Sequence, residues 1–244
     1  MDAPPGCDEE ERDLFVSPRQ FETQMADLAR RGFRTTSLSS LSQTDAKTVL
    51  ITFDDAYAHV GQVVTPVLQR YGFSAVMFAP LAHLGERNVW DARAHPRLGT
   101  LQIASAGQIE AMVNGPWEIG SHGYRHLDLR MLDASELREQ LTQSRARLSR
   151  LAGKPVDALA YPFGYVDSVV ERAARQAGYL MGFVDGPGLD GNPMRLARTP
   201  IRGSDDLAVF RLKTSGWLRR LRPVHRVAPD WARMAVRTAI NRVT

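Results

Sequence analysis

The sequence predicts an α/β fold in which a largely parallel sheet curves into a closed or nearly closed barrel. Three observations point there. Strand-like apolar runs alternate with helix-like segments along most of the chain. Polar clusters follow several of those strands at their C-terminal ends, where barrel enzymes gather their chemistry. The first strand leads into no glycine-rich phosphate turn, the mark of an open dinucleotide-binding sheet.

The elements follow in order. Ser17-Pro18-Arg19-Gln20 reads as a helix start, with Ser17 as cap, Pro18 in the first turn and Gln20 closing a capping box. Phe21, Met25, Leu28 and Ala29 then recur at helical spacing up to Gly32. Val49 to Phe53 is a buried strand, Val63 to Tyr71 a helix, and Phe73 to Phe78 the next strand. Ala79 to Ala104 is long and irregular, the kind of loop that carries function in a compact domain. A helix over Ala106–Val113 and a strand over Trp117–Ser121 follow. Asp133, with Glu136 three residues on, caps a long amphipathic helix that ends at Gly153. Val156–Tyr161, Asp167–Ala177, Tyr179–Val184 and Leu196–Ile201 complete the pattern as strand, helix, strand, strand. Gly32-Phe33, Gly72-Phe73 and Gly178-Tyr179 repeat one device, a left-handed cap and then an aromatic entering the next segment.

At 244 residues this reads as one principal domain with an ordinary charged fraction of 24%. Cys7 is the only cysteine, which excludes an intrachain disulfide and a thiolate zinc site. The segment Met1 to Arg12 is acidic and polar, unlike a signal peptide, and no apolar stretch reaches the roughly 18 residues of a membrane span. Taken as it stands, this predicts a cytoplasmic or membrane-peripheral location. From Arg211 onward nine lysines and arginines face Asp230 alone. Such a basic segment, expected to be helical, suits an anionic membrane surface or a partner protein. Nucleic acid is not expected, because aromatics are not interleaved along it for stacking.

Two stretches carry the chemistry. Ile51-Thr52-Phe53-Asp54-Asp55 is an apolar run ending in paired carboxylates. Gly120-Ser121-His122-Gly123-Tyr124-Arg125-His126 sets two histidines four apart after a second strand. On one helical turn these imidazoles would face one side. A hydrolytic metal site needs such groups: ligands that leave open positions, and a base for the water. If one of Asp54 and Asp55 binds the metal, the other is free as base, and the ion's charge relieves their repulsion. An Asp pair also serves as a plain loop or helix cap. Tyr161-Pro162-Phe163-Gly164 forms a third element, a tight turn whose backbone N–H groups suit a developing oxyanion.

Together these segments resemble the NodB-type polysaccharide deacetylases, carbohydrate esterase family 4. Thr52 to Asp55 matches the first motif of that family; Ser121, His122 and His126 match the second. Tyr161 to Gly164 is similar to the third motif as found in the branch that includes poly-N-acetylglucosamine deacetylases. The resemblance spans roughly residues 15–212, leaving a polar N-terminal segment at 1–14 and the basic tail at 213–244. It implies a distorted (β/α)7 barrel and removal of N-acetyl groups from an N-acetylhexosamine polysaccharide or glycolipid. It further implies one divalent metal ion, most often zinc, on Asp55, His122 and His126. Asp54 would be the base, and the Phe163 N–H would help hold the oxyanion. Tyr161, Pro162 and Arg198 are expected at the substrate.

The chain also departs from the pattern. Ala160 stands where many members carry an arginine that orients the base, and Arg198 or Arg202 is expected to replace that guanidinium. Ala56 replaces a usual glycine, which matters only if the backbone there needs positive φ. After His126 the next histidine is His225, so the proton for the leaving nitrogen is expected from Asp54 or another group. Residues 1–13 hold no counterpart of the first strand of related members, which predicts a barrel edge covered by the N-terminal segment or a partner chain. Three other readings share these residues: a glycan-binding pseudoenzyme, a hydrolase of a non-sugar amide, and a ferrous oxygenase on two histidines and a carboxylate.

Overall fold

The computed structural model describes residues 3–185 and 191–215. A short helix, α1 (Glu9–Asp13), precedes α2 (Pro18–Arg30), and two small strands, β1 (Arg34–Thr35) and β2 (Thr48–Val49), pair in parallel. The main sheet then has six strands: β3 (Ile51–Phe53), β4 (Ala75–Ala79), β5 (Trp117–Ser121), β6 (Ala158–Ala160), β7 (Met181–Asp185) and β8 (Leu196–Arg198). All pairings are parallel and sequential, so every crossover steps the same way and the sheet curls into a half-barrel. Six strands are what a (β/α)7 barrel short of one strand leaves, with β3 and β8 as its edges.

Helices α3 (Ala58–Tyr71), α4 (Ala106–Val113), α5 (Ala134–Ala152) and α6 (Ser168–Gln176) lie along the chain between strands, and α7 (Leu207–Lys213) follows β8. Alternation along β4 sorts its side chains. Ala75, Met77 and Ala79 join the large helix-side core; Val76 and Phe78 join a second cluster with Ala158, Ala160 and Phe183 inside the curl. Leu38 and Leu41 pack against that inner cluster from the β1–β2 connection. Gly120 makes room there, because a Cβ at that position would overlap the Phe78 ring.

Caps set most helix boundaries. Ser105 and Gln108 form a reciprocal capping box on α4, and Asp133 accepts from the Ser135 and Glu136 amides at the start of α5. Several expectations shift. Ser17 caps α2, but the Gln20 side chain does not close the box; its Nε2 donates to the carbonyls of Gly203 and Asp205 instead. α3 starts five residues ahead of Val63, directly after the acidic motif. The strand expected over Val49–Phe53 divides at Leu50 between the two sheets. The chain between His122 and His126 is not helical: Gly123 and His126 both take positive φ, which breaks any helical turn.

Among the described residues no helix is long and apolar enough to cross a membrane. Arg211 and Lys213 are internal ion-pair partners, on Asp27 and Asp205. The remainder of the basic tail, with its expected membrane or partner contacts and His225, lies outside the described residues.

Candidate active site

Four strand ends deliver the site. Asp54 and Asp55 follow β3, His122 and His126 follow β5, Phe163 follows β6, and Arg198 closes β8. In a parallel curl all of these ends open at one mouth.

Asp55 Oδ1 lies 3.5 Å from His122 Nε2 and 3.2 Å from His126 Nε2. One ligand atom from each of the three residues falls within 4.8 Å of the others. Tetrahedral bonds of ~2.0–2.1 Å put neighbouring ligand atoms about 3.3 Å apart, so the carboxylate–imidazole spacings suit a zinc-sized ion. His122 Nδ1 donates to the Ala160 carbonyl at 2.8 Å, which turns the Nε2 lone pair toward Asp55. Burial pushes the His122 pKa down, against the pull of Asp54, and favours the neutral imidazole that a metal requires. Asp55 Oδ1 is buried with no hydrogen-bond donor. An unpaired buried carboxylate oxygen facing two imidazole nitrogens is costly without a cation, and the donor set fits one.

The backbone is strained at this place. Among the described residues, the non-glycine residues with positive φ are Asp55 (66°), Ala56 (54°), His126 (53°) and Phe163 (60°). All four belong to the segments that converge at the mouth, where strain marks residues held for geometry. Ala56 therefore occupies a left-handed position that glycine would take without cost.

Asp54 stands beside the cluster. Arg198 Nη1 and Nη2 donate to its two carboxylate oxygens at 2.7 Å each. Arg198 Nη2 also reaches Asp185 at 2.8 Å, and its guanidinium lies 5.7 Å from the centre of the Phe78 ring. Burial opposes the Asp54 charge, but the Arg198 guanidinium outweighs it and holds the carboxyl below its ordinary range. Of the two expected replacements for the missing arginine, Arg198 is the one at this carboxylate. Arg202 pairs with Asp13 instead.

Tyr161 and Pro162 are buried rather than open to a substrate. Tyr161 is fully enclosed and its hydroxyl donates to the Met194 carbonyl, which makes it part of the scaffold beneath the turn. Phe163 is exposed, and its ring stands edge-on against His126 at 4.7 Å. His59 stacks on Tyr57 on α3, where burial pushes its pKa down to about 4. His83 tilts against Trp90. Trp90 is the residue sequence reasoning missed: it stacks on His126 at 4.4 Å and 25°. The loop over residues 79–104 was marked by its length, but no local signal singles out Trp90 within it.

Fold and site together define a class: a curled parallel α/β barrel with a candidate Asp–His–His metal centre at its mouth. The sequence profile described as polysaccharide deacetylase matches residues 42–182, and the chain belongs to that family. YxkH of Bacillus subtilis (strain 168), provisionally described as a polysaccharide deacetylase, is 27% identical over 182 residues, 72% of this chain and 60% of the relative. Two crystal structures are similar at 26% identity. One, provisionally described as a polysaccharide deacetylase from Bacillus anthracis, has a TM-score of 0.72 and covers 88% of this chain and 66% of that one. The other, a polysaccharide deacetylase from Bacillus cereus, has a TM-score of 0.69 over 83% and 63%. The chain thus spans less than two thirds of each of these relatives.

Proposed function

We propose that this protein is a metal-dependent hydrolase that removes N-acetyl groups from an N-acetylhexosamine-containing glycan. The reading rests on one observation: the Asp55–His122–His126 cluster lies at the same mouth as a carboxylate, Asp54, clamped by Arg198. A zinc ion held by Asp55, His122 and His126 would supply Lewis acidity and a water of lowered pKa.

The chain's own groups account for the rest. Asp54 is kept anionic by Arg198 and serves as the base, since each of its oxygens retains a lone pair beyond the guanidinium bonds. The proton it takes from water is the one the departing amine needs, so Asp54 also returns it. The backbone N–H of Phe163 stands by the acyl oxygen and stabilises its developing charge. Water and acetamide are consumed; the amine takes up the second proton, which the nascent acetic acid gives up, so acetate and a protonated amine leave.

The test is acetate release from N-acetylglucosamine oligomers and polymers, with chelator and after metal is restored. Release that stops with chelator and returns with zinc is expected. Glycan binding without release under any metal would establish the non-catalytic reading instead. Asp54→Asn should abolish turnover with metal retained, whereas His122→Ala should lose the metal.

A further inference from the structure

The two imidazoles of the cluster are held in different ways. His122 has a hydrogen-bond partner for its second nitrogen, the Ala160 carbonyl. His126 Nδ1 is buried and has no partner among the described residues. A ligating histidine ordinarily fixes its ring through that second nitrogen. Something else must orient His126.

Rings do so. Trp90 covers one side of the His126 imidazole, stacked at 4.4 Å and 25°, and the Phe163 ring meets it edge-on at 4.7 Å and 74°. Trp90 sits in a pinned turn. Asn88 Nδ2 donates to the Tyr57 hydroxyl at 2.6 Å and to Asp91 at 2.7 Å, while the Asp91 amide donates back to Asn88 Oδ1. Asn88 is fully buried, so these bonds form without competition from water. Tyr57 follows the acidic motif by two residues, so the turn is tied to the same segment that carries Asp55. His83 packs on the indole at 5.1 Å, and its Nε2 bonds the carbonyl of Arg125, the residue before His126. The Arg125 amide donates to Gln140 on α5.

We propose that Trp90 is a positioning residue for His126, setting by ring stacking the imidazole orientation that a hydrogen bond sets for His122. The inference rests on the metal-centre reading above. Trp90→Ala frees the ring to rotate about its unpartnered axis, and zinc affinity falls by about 10–100-fold, the usual loss when a supporting contact of a ligand is removed. Trp90→Phe keeps a stacking face and stays within a few-fold of wild type. Asn88→Ala, which unpins the turn without touching His126, lowers affinity in the same direction.

The experiment is competition of zinc between the full chain and a chromophoric chelator, for wild type, Trp90→Ala, Trp90→Phe, Asn88→Ala and His126→Ala. The d–d absorbance of the cobalt-substituted proteins is recorded alongside, and thermal melts of the metal-free proteins identify variants that merely unfold. A weaker site and an altered cobalt spectrum in a folded Trp90→Ala protein support the proposal. Trp90→Ala binding zinc as tightly as wild type, with an unchanged cobalt spectrum, overturns it. Should Trp90→Ala fail to fold, equal affinity in wild type and Asn88→Ala overturns it too. A wild-type protein that binds no zinc fails the metal-centre reading itself, a result distinct from both.

Discussion

Arg198 and Asp54 are 144 residues apart in sequence and share two parallel hydrogen bonds of 2.7 Å across the gap between the edge strands β3 and β8. The fork geometry fixes both the charge and the direction of the carboxylate. Of the two arginines expected to supply the guanidinium absent at Ala160, Arg198 reaches this carboxylate and Arg202 does not.

Replacing Arg198 should therefore act on turnover more than on binding. Arg198→Met is expected to lower kcat by roughly 10²–10³, a large part of what a general base contributes, with KM and zinc content nearly unchanged. Arg198→Lys keeps the charge but loses the fork, so an intermediate loss is expected. Acetate-release kinetics with metal analysis on the same samples measure both. Loss of zinc in the methionine variant would mean that Arg198 maintains the metal cluster rather than the base.

Ala56 offers a stability test at the same place. Its φ of 54° costs about 1–2 kcal/mol for a residue with a Cβ. Glycine removes that cost but adds about 0.4–1 kcal/mol of unfolded-state entropy, and it deletes a fully buried core methyl worth about 0.8 kcal/mol. Ala56→Gly is therefore expected to be near neutral, within about 1 kcal/mol and so within about 4 °C in Tm for a domain of this size. Calorimetry of the two proteins decides it, and a fall in Tm well beyond that would remove strain as the account of this position.

Much of this architecture is legible locally. The Ser105–Gln108 box and the Asp133 cap start α4 and α5 where their sequence signals stand, because a cap is made by residues within one turn. That Asp55, His122 and His126 come together is legible in part, because they follow strands whose ends a parallel curl opens at one mouth, although the helical turn expected between the histidines is not there. What is set by distant contacts is not. α7 has Asp206 as a cap, but its fixing partners are Asp27 for Arg211 and Asp205 for Lys213. Arg198 and Arg202 look equivalent until β8 ends at Arg198 and Arg202 turns to Asp13. Trp90 stacks on His126 from a long loop in which Asn88 bonds Tyr57, two contacts between distant parts of the chain that no local pattern marks.

The inner face of the curl gives a packing prediction. Gly120 on β5 faces Phe78, whose ring lies under the Arg198 guanidinium. Gly120→Ala forces Phe78 off its position, at an expected cost of about 1–3 kcal/mol for overpacking. Because Phe78 supports Arg198, activity at a temperature well below the melt should fall as well. Unfolding in urea gives the first quantity and acetate release the second. An unchanged midpoint would show that the curl has slack to absorb the methyl group.

Asp27 supplies a dependence on pH. It is 1% exposed on α2 and receives Arg211 at 2.6 Å, with Arg30 and Arg31 at 3.1 and 3.3 Å. The Arg211 hydrogen bonds, acting against burial, hold its carboxyl below the ordinary range. A carboxyl whose pKa is lower in the folded state than in the unfolded chain binds fewer protons when folded. Its contribution is then complete above the unfolded value of about 3.9 and is lost as pH falls through the folded value. Asp27→Asn is expected to cost about 2 kcal/mol near pH 7, the scale of hydrogen bonds to a charged group. The difference from wild type should shrink as pH falls below about 4. Urea midpoints from pH 7 down to 3 measure it, and a difference that stays constant over that range would assign the loss to packing rather than to charge.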